Sequence, residues 1–590
     1  MYSNKLSPSV QLALRYENLL TPESRAIFQD PVEPTKWRII AEYIGNLEEE
    51  KQSLNLDVFY LNENFALITL LKQDVPALSD ERSIIYISFA QELAYIDQSF
   101  NQTCMTNVIA PIGRYKVTGK GVLVGIIDTG IDYSHPDFIM PNGKSRIRFL
   151  WDQTIVGSPP LGFRKGTEYT NEELNMALAQ PEKEEQLAIV PSQDTIGHGT
   201  AMAGIAAGNG RGSGGRNRGM AIESELLIVK IGPEGGESTR PNTREVMLGI
   251  KYVIEKAKEL SQPLVILLGI ATNIGGHDGA VLIEQYIAEM SLTWPCNFVV
   301  GTGNQGDKGG HASGSIKTGE EKIIQLLIDK PKPSYQMGIW KEFIDEMGII
   351  IESPQGEQTE ILSILTPNRA FFFGNTTVLV NISEPRNNIT KQVIYIVLEA
   401  QTPEGINIGV WNIRLRGFNV LNGSYNAWGS INKDSSDRTR FLIADISTTL
   451  TIPSTTESIT SVAAFNANSF QLAPFSGRGY TANGRVKPDL SAPGVNVLTA
   501  SIQRDILYEP FSGTSASAAF VAGAYALLME YGIIQLGLPY LHGETLKSYM
   551  LATAQRPESY GPYPNKEWGY GRLCVEAALN RINEINTSSF

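Results

Sequence analysis

The period of the apolar positions changes along the chain, and each change marks a different kind of structure. The first hundred residues open on a helical pattern. They then carry LDVFYLNENFALITL, two apolar runs broken by Asn62, Glu63 and Asn64, which predicts a hairpin. RSIIYISFAQELAYI follows as a further strand-rich stretch. From about residue 115 to 314, short apolar runs alternate with helical spacing. GVLVGIIDTG reads as a strand ending in a turn, GTAMAGIAAG as a small-residue helix, and ESELLIVKIG as a strand. REVMLGIKYVIEKAKEL has apolar residues at helical spacing, and PLVILLGIAT and CNFVVGTGN read as buried strands. This alternation predicts the parallel sheet of an α/β domain.

Between about 315 and 451 the helical spacing disappears. KIIQLLI, MGIIIES, TTVLVNIS, QVIYIVLEA, GVWNIRLRG and TRFLIADI are strands at short intervals with turn residues between them. They predict an all-β sandwich or jelly roll inserted into the α/β domain. The α/β texture resumes at SITSVAAFN and closes in helices at FVAGAYALLMEYG and HGETLKSYMLATA. The expected units are an N-terminal α+β unit over 1–98, an α/β domain in two parts over 99–314 and 452–590, and the β insert over 315–451.

Composition narrows the function classes. The 590 residues are 42% hydrophobic and 19% charged, ample for several packed cores. A net charge of −13 argues against a nucleic-acid partner, and RGSGGRNRG at 211–219 reads as a solvated loop. Cys104, Cys296 and Cys574 form neither a CxxC pair nor an even disulfide set. None of the five histidines has HExxH or HxxxH spacing, so no histidine-held metal site and no cofactor is expected, and calcium sites built of loop oxygens would leave no motif to read. The opening MYSNKLSPSVQLALRYENLL lacks an apolar core of signal-peptide length, and no 18-residue apolar run follows. The expectation is a cytoplasmic location at synthesis and no membrane partner.

Four polar residues sit where α/β elements end. Asp128, in GIIDTGID, closes a buried strand, where open sheets place functional groups; taken alone it also fits a turn-capping carboxylate. His198 stands between two glycines at the mouth of a small-residue helix, so its ring can leave the packed surface. Asn304 presents an amide on a glycine turn after a buried strand. The same stretch, GTGNQG, spells GxGxxG, but DKGGHASG follows and cannot open the helix that a dinucleotide fingerprint needs. Ser515 opens ASAAFVAGAYALLME, where a helix N-terminus and its N–H groups favour developing negative charge; a plain N-cap serine is the bland alternative. An α/β-hydrolase elbow fails, because position 517 is serine and only His542 follows. Together the four supply a nucleophile, a base, a group to orient the base, and an oxyanion donor.

VGIIDTGID, GHGTAMAGIAAG, GTGNQG and FSGTSASAAFVAG, with PFSGRGYTANGRVKPDLSAPG before the last, resemble the subtilisin-like serine proteases. The resemblance covers roughly 115–314 and 452–575. It implies the subtilisin α/β fold, Asp128, His198 and Ser515 as catalytic triad, Asn304 in the oxyanion hole, and a protein or peptide substrate. The substrate would lie extended against Leu268, Gly269, Ile270 and Ala271 on one side and Gly301, Thr302 and Gly303 on the other. Where the family has Ser-Leu-Gly, this chain has Gly269-Ile270-Ala271, whose extra methyl narrows the expected pocket. The residues after the nucleophile, Ala516-Ser517-Ala518-Ala519, replace the usual Met-Ala-Thr-Pro but suit a helix.

A narrower resemblance is to the Csp-type germination proteases of spore-forming anaerobic bacteria, which combine a propeptide-like domain, a subtilase domain and an inserted jelly roll. NIGGHDG and GNQGDKGGHASG also look like that group. Its active members cut the pro-form of a cortex-degrading hydrolase, while others have lost triad residues and act as signalling pseudoproteases. The resemblance implies a spore-associated role and an N-terminal prodomain whose tail lies in the groove. LAYIDQSFNQT fits such a tail, with self-cleavage expected within residues 94–102 and Gln98 preferred before the cut. The cleaved prodomain is expected to stay bound. In the insert, Trp411, Tyr425 and Trp428 serve equally as core or as a binding platform.

Overall fold

The computed structural model describes residues 4–95, 115–233, 241–384, 390–432, 434, 436–503 and 506–588. At its centre is a nine-stranded sheet. Its strands run in the order Gln471–Leu472, Thr460–Asn466, Cys296–Gly301, Leu264–Leu268, Leu123–Asp128, Glu225–Lys230, Ile147–Asp152 and Thr167–Thr170, with Leu490–Pro493 also paired to Thr460–Asn466. Its interior ladders are parallel; the short outer strands Gln471–Leu472 and Thr167–Thr170 pair antiparallel. The near-continuous Val, Ile and Leu content of the central strands Leu123–Asp128, Leu264–Leu268 and Cys296–Gly301 follows from that position, because helices cover both faces and every residue of these three is buried.

One face carries helices His198–Ala207 and Thr514–Met529, every residue of which is buried. A helix apolar all round belongs inside a large core. Thr514–Gln535 is long and apolar enough to cross a membrane, yet 83% of its most apolar window is buried inside the fold. The other face carries Thr243–Leu260 and Leu282–Met290. Asp128 and Gly301 end neighbouring parts of the parallel sheet at their C-terminal edge, where α/β sheets gather their sites.

The N-terminal unit is a four-stranded antiparallel sheet, ordered Asp57–Tyr60, Phe65–Leu71, Lys36–Tyr43, Ile84–Ser88. The expected hairpin turns at Asn62, whose Oδ1 accepts the N–H groups of Asn64 at 2.9 Å and Phe65 at 2.7 Å. Helix Pro8–Tyr16 packs on this sheet through Val10 and Ala13. Ile40, Leu61, Phe65 and Leu67 join the α/β core instead, with Phe65 meeting Tyr286 edge-on at 5.7 Å.

The insert consists of two antiparallel sheets around one core. The larger has His311–Ser315, Ser424–Gly429, Ser334–Glu342, Lys391–Ala400, Thr376–Ile382 and Asn368–Phe373 in order; the smaller has Glu346–Glu352, Gly409–Asn419, Glu321–Ile328 and Arg440–Phe441. Its sheet starts at His311, ahead of residue 315, because HASGS pairs with Ser424–Gly429 without any apolar run to announce it. TRFLIADI is strand only at Arg440–Phe441. Beyond it the chain leaves the ladder, and the Asp445 N–H donates to His311 O at 2.9 Å.

The N-terminal unit also touches the insert. Leu12 packs with Leu379, Tyr395 and Val397, and the Tyr16 hydroxyl donates to Asn368 O at 3.2 Å. Glu399, fully buried, accepts the Thr21 N–H at 3.1 Å and the Ser24 hydroxyl at 2.6 Å. Burial pushes its carboxyl up to about 7, against the opposing pull of those donors. A carboxyl freed by departure of the N-terminal unit returns toward its ordinary value of 4.5, so docking takes up a proton between these limits. Docking is therefore strongest at low pH and weakens as pH rises through 7. When the unit is severed beyond Tyr95 at an engineered site, its dissociation constant is expected to rise roughly tenfold or more from pH 5 to 8. Glu399→Gln should flatten the curve; an unchanged curve in that variant would assign the proton to another group.

Candidate active site

Strand Leu123–Asp128 delivers the Asp128 carboxylate, fully buried, to the sheet edge, where its Oδ1 accepts the Thr129 N–H at 2.7 Å. Helix His198–Ala207 begins at His198. Gly197 holds a left-handed φ of 89° just before it, and a Cβ on Gly199 would overlap Gly130 O. The two flanking glycines thus let the helix start against the Asp128 turn. His198 Nδ1 lies 2.7 and 2.9 Å from the two Asp128 oxygens, and Nε2 lies 3.0 Å from Ser515 Oγ. Asp194, buried ahead of the helix, accepts the N–H groups of Gly197 at 2.8 Å and Thr200 at 3.0 Å and fixes its first turn. Phe511 meets the imidazole edge-on at 5.4 Å.

Ser515 is the second residue of Thr514–Met529 and is fully buried. Asn304 Oδ1 accepts the Thr514 N–H at 3.0 Å and the Thr514 hydroxyl at 3.2 Å; the Gly303 N–H in turn donates to Thr514 Oγ1 at 3.1 Å. These contacts fix which way the amide faces. Asn304 Nδ2 is buried and has no hydrogen-bond partner among the described residues. A buried donor left open in this way, beside the helix that begins at Thr514, has room in its hydrogen bonding for a ligand oxygen. Asp128, His198, Asn304 and Ser515, scattered along the chain, thus converge on one point.

The proposed groove residues divide. Leu268 ends a core strand, where it pairs with Ile127 and Val300, and the stretch that follows it, Gly269 to Ala271, leaves that ladder. Gly269 faces the catalytic residues: a Cβ there would overlap Asp128 Oδ2 and come within 2.7 Å of His198 Cε1. Ile270–Ala271 is the strand that receives a chain. Ala94–Tyr95, the last described residues of the N-terminal unit, pair with it antiparallel, Ala94 opposite Ala271 and Tyr95 opposite Ile270. From Ala94 to Tyr95 the tail runs toward Gly269. Across the sheet edge, Gly301 and Gly303 lie against Thr514 and Thr451, with no room for a Cβ, and the Thr302 side chain turns to Ser476.

Two parts of the groove escaped the sequence reading. Pro241, Asn242 and Thr243 form a second wall. The Leu93 N–H donates to Pro241 O at 2.9 Å and the Thr243 N–H to Gln91 O at 3.0 Å, which makes the tail a middle strand. Thr451 and Ile452 form the floor. The Thr451 N–H donates to Thr302 O at 3.0 Å, while Ile452 and Thr272 exchange N–H to O bonds of 2.9 and 3.0 Å. Only the helix start after Thr243 hinted at the wall, and nothing local announces the floor.

The Subtilase family profile matches residues 119–259 and 432–571, and the Csp protease B prodomain profile matches residues 4–89. Among solved structures, the CspB protease of Clostridium perfringens superposes with a TM-score of 0.72 at 32% identity, covering 80% of this chain and 96% of that one. Curated relatives are more distant. The minor extracellular protease Vpr of Bacillus subtilis is 23% identical over 80% of this chain, and the PIII-type proteinase of Lactococcus lactis is 24% identical over 78%. The chain spans only 53% and 24% of their respective lengths. With a solved relative matched over nearly its whole length and both profiles placed on the parts built here, the chain belongs to the subtilase family, in the branch that carries a Csp-type prodomain.

Proposed function

We propose that this chain is a serine endopeptidase that opens peptide bonds through an acyl-enzyme on Ser515. The continuous line from Asp128 through His198 to Ser515, at 2.7 and 3.0 Å, carries the reading. Ser515 Oγ attacks the scissile carbonyl carbon while His198 Nε2 takes its proton, and Asp128 stabilises the imidazolium that forms. The carbonyl oxygen, now negative, receives the Asn304 Nδ2 donor. Collapse expels the amine, which leaves with the proton from His198; water then attacks the acyl carbon by the same route in reverse. Burial of all four groups keeps these charges in a low dielectric, where fixed donors act most strongly.

The N-terminal unit acts in this reading as a prodomain cut by its own enzyme. Support comes from its tail, already paired as a substrate-like strand and directed toward Gly269. The cleavage window of residues 94–102, with Gln98 before the cut, extends beyond Tyr95 outside the described residues. The cut prodomain remains as a partner, because its sheet is buried in the α/β core and its first helix against the insert. The physiological substrate in this proposal is the pro-form of a spore cortex-lytic hydrolase activated at germination, in a spore-associated location. The match to a Csp prodomain together with an unbroken catalytic line supports it.

Two outcomes check the chemistry. Ser515→Ala should stay full length on N-terminal sequencing and lose labelling by a fluorophosphonate, whereas wild type is cut within residues 94–102; an equally cut variant would assign processing to another protease. Asn304→Ala should lower kcat by about 10²–10³ with little change in KM, as loss of an oxyanion donor does. A change confined to KM would remove Asn304 from that role.

A further inference from the structure

The floor of the groove is held from the insert as well as from the α/β domain. Thr451 and Ile452 join the two walls, one to Thr302 and the other to Thr272, and a Cβ on Gly303 would overlap the Thr451 side chain. The position of this two-residue step therefore sets the depth and width of the space between the walls. What fixes the step is the preceding backbone, Thr448, Thr449 and Leu450, where the chain leaves the insert. Thr448 holds a left-handed φ of 54°, a conformation that a residue with a side chain keeps only when its surroundings impose it.

On the α/β side the Thr448 and Thr449 N–H groups donate to Gly479 O at 3.1 Å and Arg478 O at 2.8 Å, and over the carbonyls lies a ring stack at the junction of the two domains. Trp428, on the insert strand Ser424–Gly429, is 1% exposed. It donates its indole N–H to Thr448 O at 3.0 Å. His277, from the α/β domain, stacks on it at 4.2 Å and 14°, and His311, from the insert's first strand, at 4.8 Å and 18°. His277 Nδ1 lies 2.6 Å from Leu450 O, and its Nε2 lies 3.0 Å from Asn273 O, one residue beyond Thr272. Burial pushes the His277 imidazole down to about 4, so near pH 7 the neutral ring has one N–H and donates it to only one of these carbonyls, Leu450 O at the shorter distance. The carbonyls of Thr448 and Leu450 are thus held by two rings stacked on one another, one from each domain.

We propose that Trp428 is a positioning residue of the substrate groove: through Thr448 and the stacked His277 it holds the Thr451–Ile452 floor in register with both walls, so the inserted domain takes part in substrate selection. Trp428 touches no catalytic atom. Its loss should loosen the floor and leave the Asp128–His198–Ser515 line in place. The proposal rests on the peptidase reading, and the experiment keeps the two apart.

Wild type, Trp428→Phe and Trp428→Ala are compared by the rate of Ser515 labelling with a small fluorophosphonate, by hydrolysis of succinyl tetrapeptide p-nitroanilides that differ only in the residue before the anilide, and by thermal unfolding. Labelling should stay within twofold of wild type. For peptides, kcat/KM should fall tenfold or more in Trp428→Ala, carried by KM, with the preference between small and large residues shifted at least fivefold. Trp428→Phe, which keeps the ring and loses the indole N–H, should fall between, and it decides the matter if the alanine variant does not fold. Folded variants with wild-type preference, or an equal loss in labelling and hydrolysis, would overturn the proposal. A wild type that is not labelled would instead overturn the peptidase reading beneath it.

Discussion

The 3.0 Å approach of His198 Nε2 to Ser515 Oγ depends on how closely two buried helices can pack. Both groups sit at helix N-termini, on His198–Ala207 and Thr514–Met529, and the small residues of these helices let the backbones come together. A Cβ on Gly523 would overlap Met220 and lie 2.5 Å from Ala206 O, and one on Gly204 would overlap Thr499. A larger residue at Gly523 would part the helices, and one at Gly204 would push its helix off strand Val497–Ala500; either shift would move His198 relative to Ser515. The small-residue texture of these segments therefore sets the His198–Ser515 contact as well as the packing of the core.

The same edge of the sheet explains why three units meet there. The parallel strands end where the site lies, and their loops must be covered. The N-terminal sheet covers one flank and sends its tail between Pro241–Thr243 and Ile270–Ala271. The insert leaves and rejoins the α/β chain on the other flank, so its last residues become the floor of the groove. An extended peptide bound there gains main-chain pairing on both sides, which any sequence can supply; selectivity must come from floor and walls.

Much of this was legible in the sequence, and for a definite reason. Asp128, His198, Asn304 and Ser515 each sit in a glycine or small-residue frame at an element end, and such frames are local. The hairpin at Asn62 and the strands of the parallel sheet were equally local, written in side-chain type and period. What the sequence did not disclose depends on pairing between distant segments. Pro241–Thr243 and Thr451–Ile452 carry no distinctive composition and become parts of the groove only through backbone hydrogen bonds. HASGS hides a strand because its pairing, not its hydrophobicity, makes it one. Trp428, readable as core or platform, is buried at the junction between the domains.

In the proposed mechanism Ser515 carries the acyl group during turnover. Acid quenching in the first turnovers of an ester or anilide substrate, followed by peptide mass spectrometry, tests it most directly. The acyl mass should appear on the peptide containing Ser515 and be absent when His198 is replaced by alanine. Turnover with no acylated Ser515, or an adduct that forms equally without His198, would contradict it.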